Sequence, residues 1–322
     1  MGSGTWSTNV YDAAARYRAT TGASAFAYSD GGATSTHDDL DPFGVTVRES
    51  RDSEEHPESL ALAVLFDVTG SMGNVPRTLQ SKLPGLLGLL MRKGYVENPQ
   101  ILFGAVGDAT CDRAPLQVGQ FESDNRMDDH LGRILLEGGG GGQMRESYEL
   151  AMYFMARHTA MDCLDKRGRR GYLFMIGDEL AYPKVKKREI AKIIGGEPAE
   201  DIPLESLIAE LKRKFDVYFI IPEGAYHSRD DRLPEFWRTH LGQNVIRLDD
   251  LDAVCETIAL TVGLAEDAVD LDEGLSHLRE FGSDAGTSVS RALAPLSSGR
   301  GAVAVSAAPT GLDPADTEVT RL

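Results

Sequence analysis

The chain has 322 residues, 42% of them hydrophobic, and a formal net charge of −17. That is enough material for one large α/β domain with appendages, or for two small domains, each with a proper core. The acidic balance argues against a nucleic-acid backbone or an anionic membrane surface as the main partner, and suits solubility, basic protein surfaces or divalent cations.

Residues 1–57 read as a polar, partly ordered N-terminal arm. A short helix is expected around Tyr11–Arg18, and Trp6, Tyr11, Tyr17, Phe26 and Tyr28 are aromatic docking points. From Leu60 the pattern changes to alternating strands and helices. "LALAVLFD" is a continuous apolar run of strand length, as in a strand buried on both faces. "TLQSKLPGLLGLLMRKGY" has helical spacing weakened by Pro84, "QILFGAVGD" is a second buried strand, and "APLQVGQF" suits a short edge strand. "RMDDHLGRILLE" is amphipathic, and "QMRESYELAMYFMARHTA" is a strong helix pattern after a run of glycines. "GYLFMIGD" is a third buried strand, followed by helices around Val185–Ile194 and over "PLESLIAELKRKF". The strand "DVYFIIPEG", the helix "LPEFWRTHLG", the strand "NVIRLDD" and the helix "DLDAVCETIALTVGLA" complete a domain over 58–264. A helical extension is expected over 265–282. Residues 283–322 contain no aromatic residue and are rich in Ala, Ser, Gly and Pro, so they read as a disordered tail. Alternating apolar strands and helices predict a doubly wound, mainly parallel sheet with helices on both faces.

Cys111, Cys163 and Cys255 have neither zinc spacing nor the pairing of a secreted framework. The N-terminus lacks the apolar core of a signal peptide, and no apolar run approaches a membrane span. A cytoplasmic protein that contacts neither membrane nor nucleic acid is the expectation, with its oligomeric state open.

Three strands deliver an acid to the edge where such sheets bind ligands: Asp67, Asp108 and Asp178. Singly each suits a helix cap. Together they would repel unless a cation or proton neutralised them. In "FDVTGSMG", Asp67, Thr69 and Ser71 sit at alternating positions on a turn eased by Gly70 and Gly73. One carboxylate and two hydroxyls are hard oxygen donors that leave places open on an octahedral cation, the usual way to hold Mg²⁺, and equally suited to Mn²⁺.

"DVTGS", with the apolar strand before it and "MIGDE" after it, resembles the Asp-x-Ser/Thr-x-Ser signature of von Willebrand factor A domains, over about Leu60 to Leu264. The resemblance, closest to the bacterial intracellular type, implies a six-stranded sheet wrapped by helices with a metal-ion-dependent adhesion site at its top. It implies Asp67, Thr69 and Ser71 as first-loop ligands and Asp178 as the later acid; the sequence itself shows no complete catalytic constellation. A protein partner supplying an acidic side chain follows, an AAA+ ATPase among the candidates. The family's second-loop Thr is missing from "GGGGGQMRESYELA"; the equivalent position falls near Glu146, with Gln143 next. Glu146 either ligates the metal or caps the following helix, where an acid is favoured. Asp108, Asp112 and Glu179 are candidates for orienting groups around the site, with ordinary loop caps as the alternative.

Two rivals stand beside the binding module. "DVTG" is also similar to the start of haloacid-dehalogenase-like phosphohydrolases, which would make Asp67 a nucleophile. No second acid stands at Thr69, however, and no Asp follows four residues after Asp178. The other rival is a structural scaffold with a degenerate site, assembled through the arm.

Overall fold

The computed structural model describes residues 26–139, 142, 144–280 and 282–304. The run Leu60–Asp67 forms strand β1, and all eight of its residues are buried. Helices α1 (Val75–Lys82) and α2 (Leu86–Arg92) follow, separated by a 3-10 turn at Leu83–Gly85, where Pro84 has no N–H to continue the helical ladder. Next come β2 (Pro99–Val106), β3 (Leu116–Val118), α3 (Arg126–Arg133) and α4 (Tyr148–Arg157). The chain continues through β4 (Gly171–Ile176), α5 (Lys187–Ile193), α6 (Leu204–Leu211), β5 (Phe215–Pro222) and α7 (Arg232–Leu241). It closes with β6 (Val245–Leu248), α8 (Val254–Ala265), α9 (Leu271–Glu280) and α10 (Gly286–Ala304).

The six strands form one mixed sheet in the order β6-β5-β4-β1-β2-β3. Every pairing is parallel except β3, which runs antiparallel to β2 at the edge. β1, β2 and β4 are buried at every position, so helices cover both faces, and this explains why they read as unbroken apolar runs. The chain builds outward from β1 to β2 and β3, then returns to lay β4 against the other side of β1. The connections leaving β1 and β4 therefore diverge, and a crevice opens between their carboxyl ends.

Three expectations are corrected. Residues 283–322 do not all lack structure, because α10 occupies Gly286–Ala304 and packs against α8, α9 and β6. Val289, Ala292, Leu293 and Leu296 are buried at helical spacing, a narrow apolar stripe hidden by small, polar composition on either side. The α4 pattern begins at Tyr148 and not at Gln143: Arg145–Glu146 is extended and pairs in parallel with Leu180–Ala181. Glu146 thus lies outside the first turn of α4 and does not cap it. Val185 likewise belongs to a short strand pair with Ile202, ahead of α5.

The arm packs on its own domain where it is described. Phe26 and Leu40 are buried in the core, and Arg48–Ser50 pairs in parallel with Thr159–Met161. Asp52 accepts hydrogen bonds from Arg167, Ser59 and Lys166, and these partners hold its carboxyl well below the usual range. The readings on Tyr11–Arg18, Trp6, Gln143 and 305–322 fall outside the described residues. Cys163 and Cys255 are buried and unbridged, as small apolar side chains. Among the described residues no helix is long and apolar enough to cross a membrane.

Candidate metal centre

Asp67 ends β1 inside the crevice with no exposed surface. Its Oδ1 accepts hydrogen bonds from the Thr69 amide at 2.8 Å and the Thr69 hydroxyl at 2.6 Å. Its Oδ2 accepts one from the Tyr148 hydroxyl at 2.7 Å. Thr69 Oγ1 lies 3.2 Å from Ser71 Oγ, and Ser71 Oγ donates to Asp178 Oδ1 at 2.9 Å. One hydrogen-bonded chain, Asp67–Thr69–Ser71–Asp178, therefore crosses from the end of β1 to the end of β4. The alternating hydroxyls of the sequence converge because the turn is held from outside: the Gly70 amide donates to the Gly139 carbonyl at 2.6 Å. A Cβ on Gly70 would sit 2.9 Å from that carbonyl oxygen and 3.2 Å from that of Gly138, so only glycine admits this approach.

The far wall is the loop after β5. The His227 amide donates to Asp178 Oδ2 at 2.9 Å, and the Tyr226 amide donates to the Ser71 carbonyl at 2.9 Å. Asp178 thus has each oxygen engaged, one by a hydroxyl and one by a backbone amide.

Glu146 and Glu179 are both buried, and one oxygen of each, Oε2, has no hydrogen-bond partner among the described residues. Glu179 Oε1 lies 3.6 Å from His227 Nε2. Burial is the main reason that carboxyls here resist ionisation. It pushes Asp67 up to about 7, Glu179 up to about 8 and Glu146 up to about 11, with neighbouring carboxylates adding to each. Burial raises Asp178 as well. The crevice is short of positive charge.

Asp108 stands one strand over, tied to its own loop and to the loop after β4. Its oxygens accept from the Thr110 amide and hydroxyl, both at 2.8 Å, and from the Tyr182 hydroxyl at 3.0 Å. Asp112 Oδ2 accepts from the Asp108 amide at 2.7 Å, which makes Asp112 a loop cap. Asp108 and Asp112 therefore contribute negative potential around Glu146.

Among the described residues, no three His, Cys, Asp or Glu side chains converge as a metal cage. The donor set that does converge is two hydroxyls flanked by two carboxylates, all hard oxygens. It fits a cation that keeps several open positions, and the unpartnered oxygens of Glu146 and Glu179 supply nearby uncompensated acceptors.

Tyr148, Tyr182, Tyr226 and His227 are site residues that sequence reasoning missed. Two of them act through backbone amides, which no side-chain pattern reports. Tyr148 follows Glu146 by two residues, but nothing in the sequence aims it at Asp67. Replacing Tyr148 with Phe leaves Asp67 Oδ2 without its donor, and an expected loss of about 1–3 kcal/mol follows from an orphaned buried acceptor. Urea denaturation of the variant against the parent measures it.

Fold and site together define a mixed α/β domain with an acidic, hydroxyl-bearing crevice at the carboxyl edge of its sheet. No protein-family model matches the sequence, and no curated protein matches it. Among solved structures, the pilus adhesin SpaC from Lactobacillus rhamnosus GG, in its open conformation, is similar at a TM-score of 0.48 and 9% identity, over 66% of this chain and 31% of that one. Proximal thread matrix protein 1 from the mussel byssus is similar at a TM-score of 0.42 and 10% identity, over 68% of this chain and 49% of that one. The chain spans under a third of the adhesin's length and about half of the thread protein's.

Proposed function

We propose that the chain is a metal-dependent protein-binding module of the von Willebrand factor A type, with a Rossmann-like, doubly wound sheet. The observation that carries this reading is the Asp67–Thr69–Ser71–Asp178 chain, built across the crevice where the strand order turns back on itself. Thr69 and Ser71 would hold Mg²⁺ or Mn²⁺, with Asp67 and Asp178 orienting the hydroxyls and balancing charge. When bound, the cation offers an open position to a carboxylate. In place of the family's second-loop Thr, Glu146 and Glu179 contribute negative charge from the crevice wall.

A partner surface is favoured by the rim. Tyr226 is a large hydrophobic side chain left exposed, and its backbone is tied directly to Ser71. An exposed aromatic beside a charged pocket is typical of a binding anchor. The partner is proposed to be a protein that brings an acidic side chain, with an AAA+ ATPase as the class that the resemblance supplies. A phosphohydrolase is less well supported, because both oxygens of Asp67 are engaged and the residue has no exposed surface from which to attack.

Capture of one reproducible partner in magnesium, lost in chelator and lost in Ser71→Ala, is the expected result. Tyr226→Ala should weaken that capture while leaving cation binding unchanged. Phosphate release from a generic ester, abolished by Asp67→Ala, would contradict the binding reading.

A further inference from the structure

A separate cavity of about 410 Å³ opens beside the carboxyl ends of β5 and β6, between the loop after β5, α7 and the C-terminal helix α10. Four arginines line it, Arg229, Arg238, Arg247 and Arg291, in a chain whose 50 acids outnumber its 33 bases. Two carboxylates share the wall, Glu223 and Asp249. Arg291 is paired with Asp249, and Arg229 reaches Glu223 at 3.4 Å in a solvent-exposed pair of small energetic weight. Arg247 donates only to the Ser228 carbonyl, at 3.2 Å, and the guanidinium of Arg238 has no partner among the described residues. Two positive charges are thus left without a carboxylate inside one concavity.

We propose that this cavity binds a phosphomonoester, with the phosphoryl group among the arginines and an apolar body over the floor. A phosphomonoester carries about −1.5 to −2 charge near neutral pH, which matches the two unmatched guanidiniums. Guanidinium forks pair with phosphate oxygens two at a time, a geometry that a single carboxylate uses only once. The floor is apolar, formed by Ile221, Val245, Leu248 and Pro295, and gives the body of an ester a place that inorganic phosphate would leave empty. The volume falls within the roughly 300–1,000 Å³ of small-molecule sites. The loop that carries Ser228 and Arg229 is anchored on its other side by the Tyr226 and His227 amides, so the wall is held in place before a ligand arrives.

Phenyl phosphate and inorganic phosphate are the probes, titrated by calorimetry into the full chain in chelator. The chelator separates the outcome from that of the cation reading. Phenyl phosphate should bind saturably and at least tenfold more tightly than inorganic phosphate. The Arg238→Ala/Arg247→Ala variant should weaken it at least tenfold; both side chains are exposed, and an unchanged thermal melt would establish that the fold is kept. Absence of saturable binding at millimolar concentration, equal affinity for the two probes, or full affinity in the variant would each overturn the proposal.

Discussion

Gly177→Ala is expected to remove about 3–5 kcal/mol of stability, combining overpacking with the loss of a buried hydrogen bond to the Asp67 carboxyl. Gly177 follows β4 directly, and a Cβ there would overlap the Tyr148 hydroxyl and lie 2.7 Å from the ring carbon that bears it. Tyr148 has no room to retreat. Its ring meets Phe219 edge to face at 5.4 Å and Trp237 at 5.5 Å, and Phe219 stacks on Trp237 at 3.9 Å. Displacing the ring breaks the bond to Asp67 and disturbs Trp237, whose indole N–H donates to the Glu179 carbonyl at 3.0 Å. One methyl group therefore loosens both walls of the crevice. Urea denaturation measures the loss, and adding Tyr148→Phe to Gly177→Ala should restore part of it. A midpoint equal to the parent's would mean that Tyr148 does not occupy this position.

The second large effect is a stability that falls as pH rises in metal-free protein. The sign follows from the folded carboxyls holding protons more tightly than the unfolded chain does. Asp67 moves from 3.8 to about 7, and Glu179 from 4.5 to about 8. Between those values the native state binds more protons than the unfolded one, so each rise in pH removes stability. Each group contributes at most about 1.4 kcal/mol per pH unit. The decline should begin near the unfolded values and be spent for these two groups above about 8; Glu146, raised to about 11, carries it further. Asp52 and Asp162 act in the opposite direction. Their carboxyls are held low, so their contribution is complete above the unfolded value of 3.8 and is lost only as pH falls below it. Magnesium should flatten the decline, because a cation relieves the crowding that makes ionisation costly. The urea midpoint measured between about pH 5 and about pH 8, in chelator and in magnesium, tests both statements. A midpoint in chelator that rises over this range would contradict them.

Much of the sheet was legible because its strands are buried on both faces, which turns them into unbroken apolar runs such as Leu60–Asp67 and Gly171–Ile176. Asp67, Thr69, Ser71 and Asp178 were legible because their spacing and strand-end position survive in one dimension. The antiparallel edge of β3 was read only as a short edge strand, since three residues carry no directional signal. Helix α10 escaped because four buried apolar positions were averaged into a tail of small residues. The extended pairing of Glu146 with Ala181 was not legible, because it depends on a contact with a segment 35 positions along. The arginine cavity draws on α7, β6 and α10, and no local pattern joins those elements.

The most direct test of the central claim is a magnesium titration by calorimetry on the full chain, beside Asp67→Ala and Ser71→Ala. Saturable binding to the parent chain is expected, lost in both variants while their melts show a folded protein. Binding of equal strength in the variants would contradict it, as would no binding to the parent at millimolar magnesium.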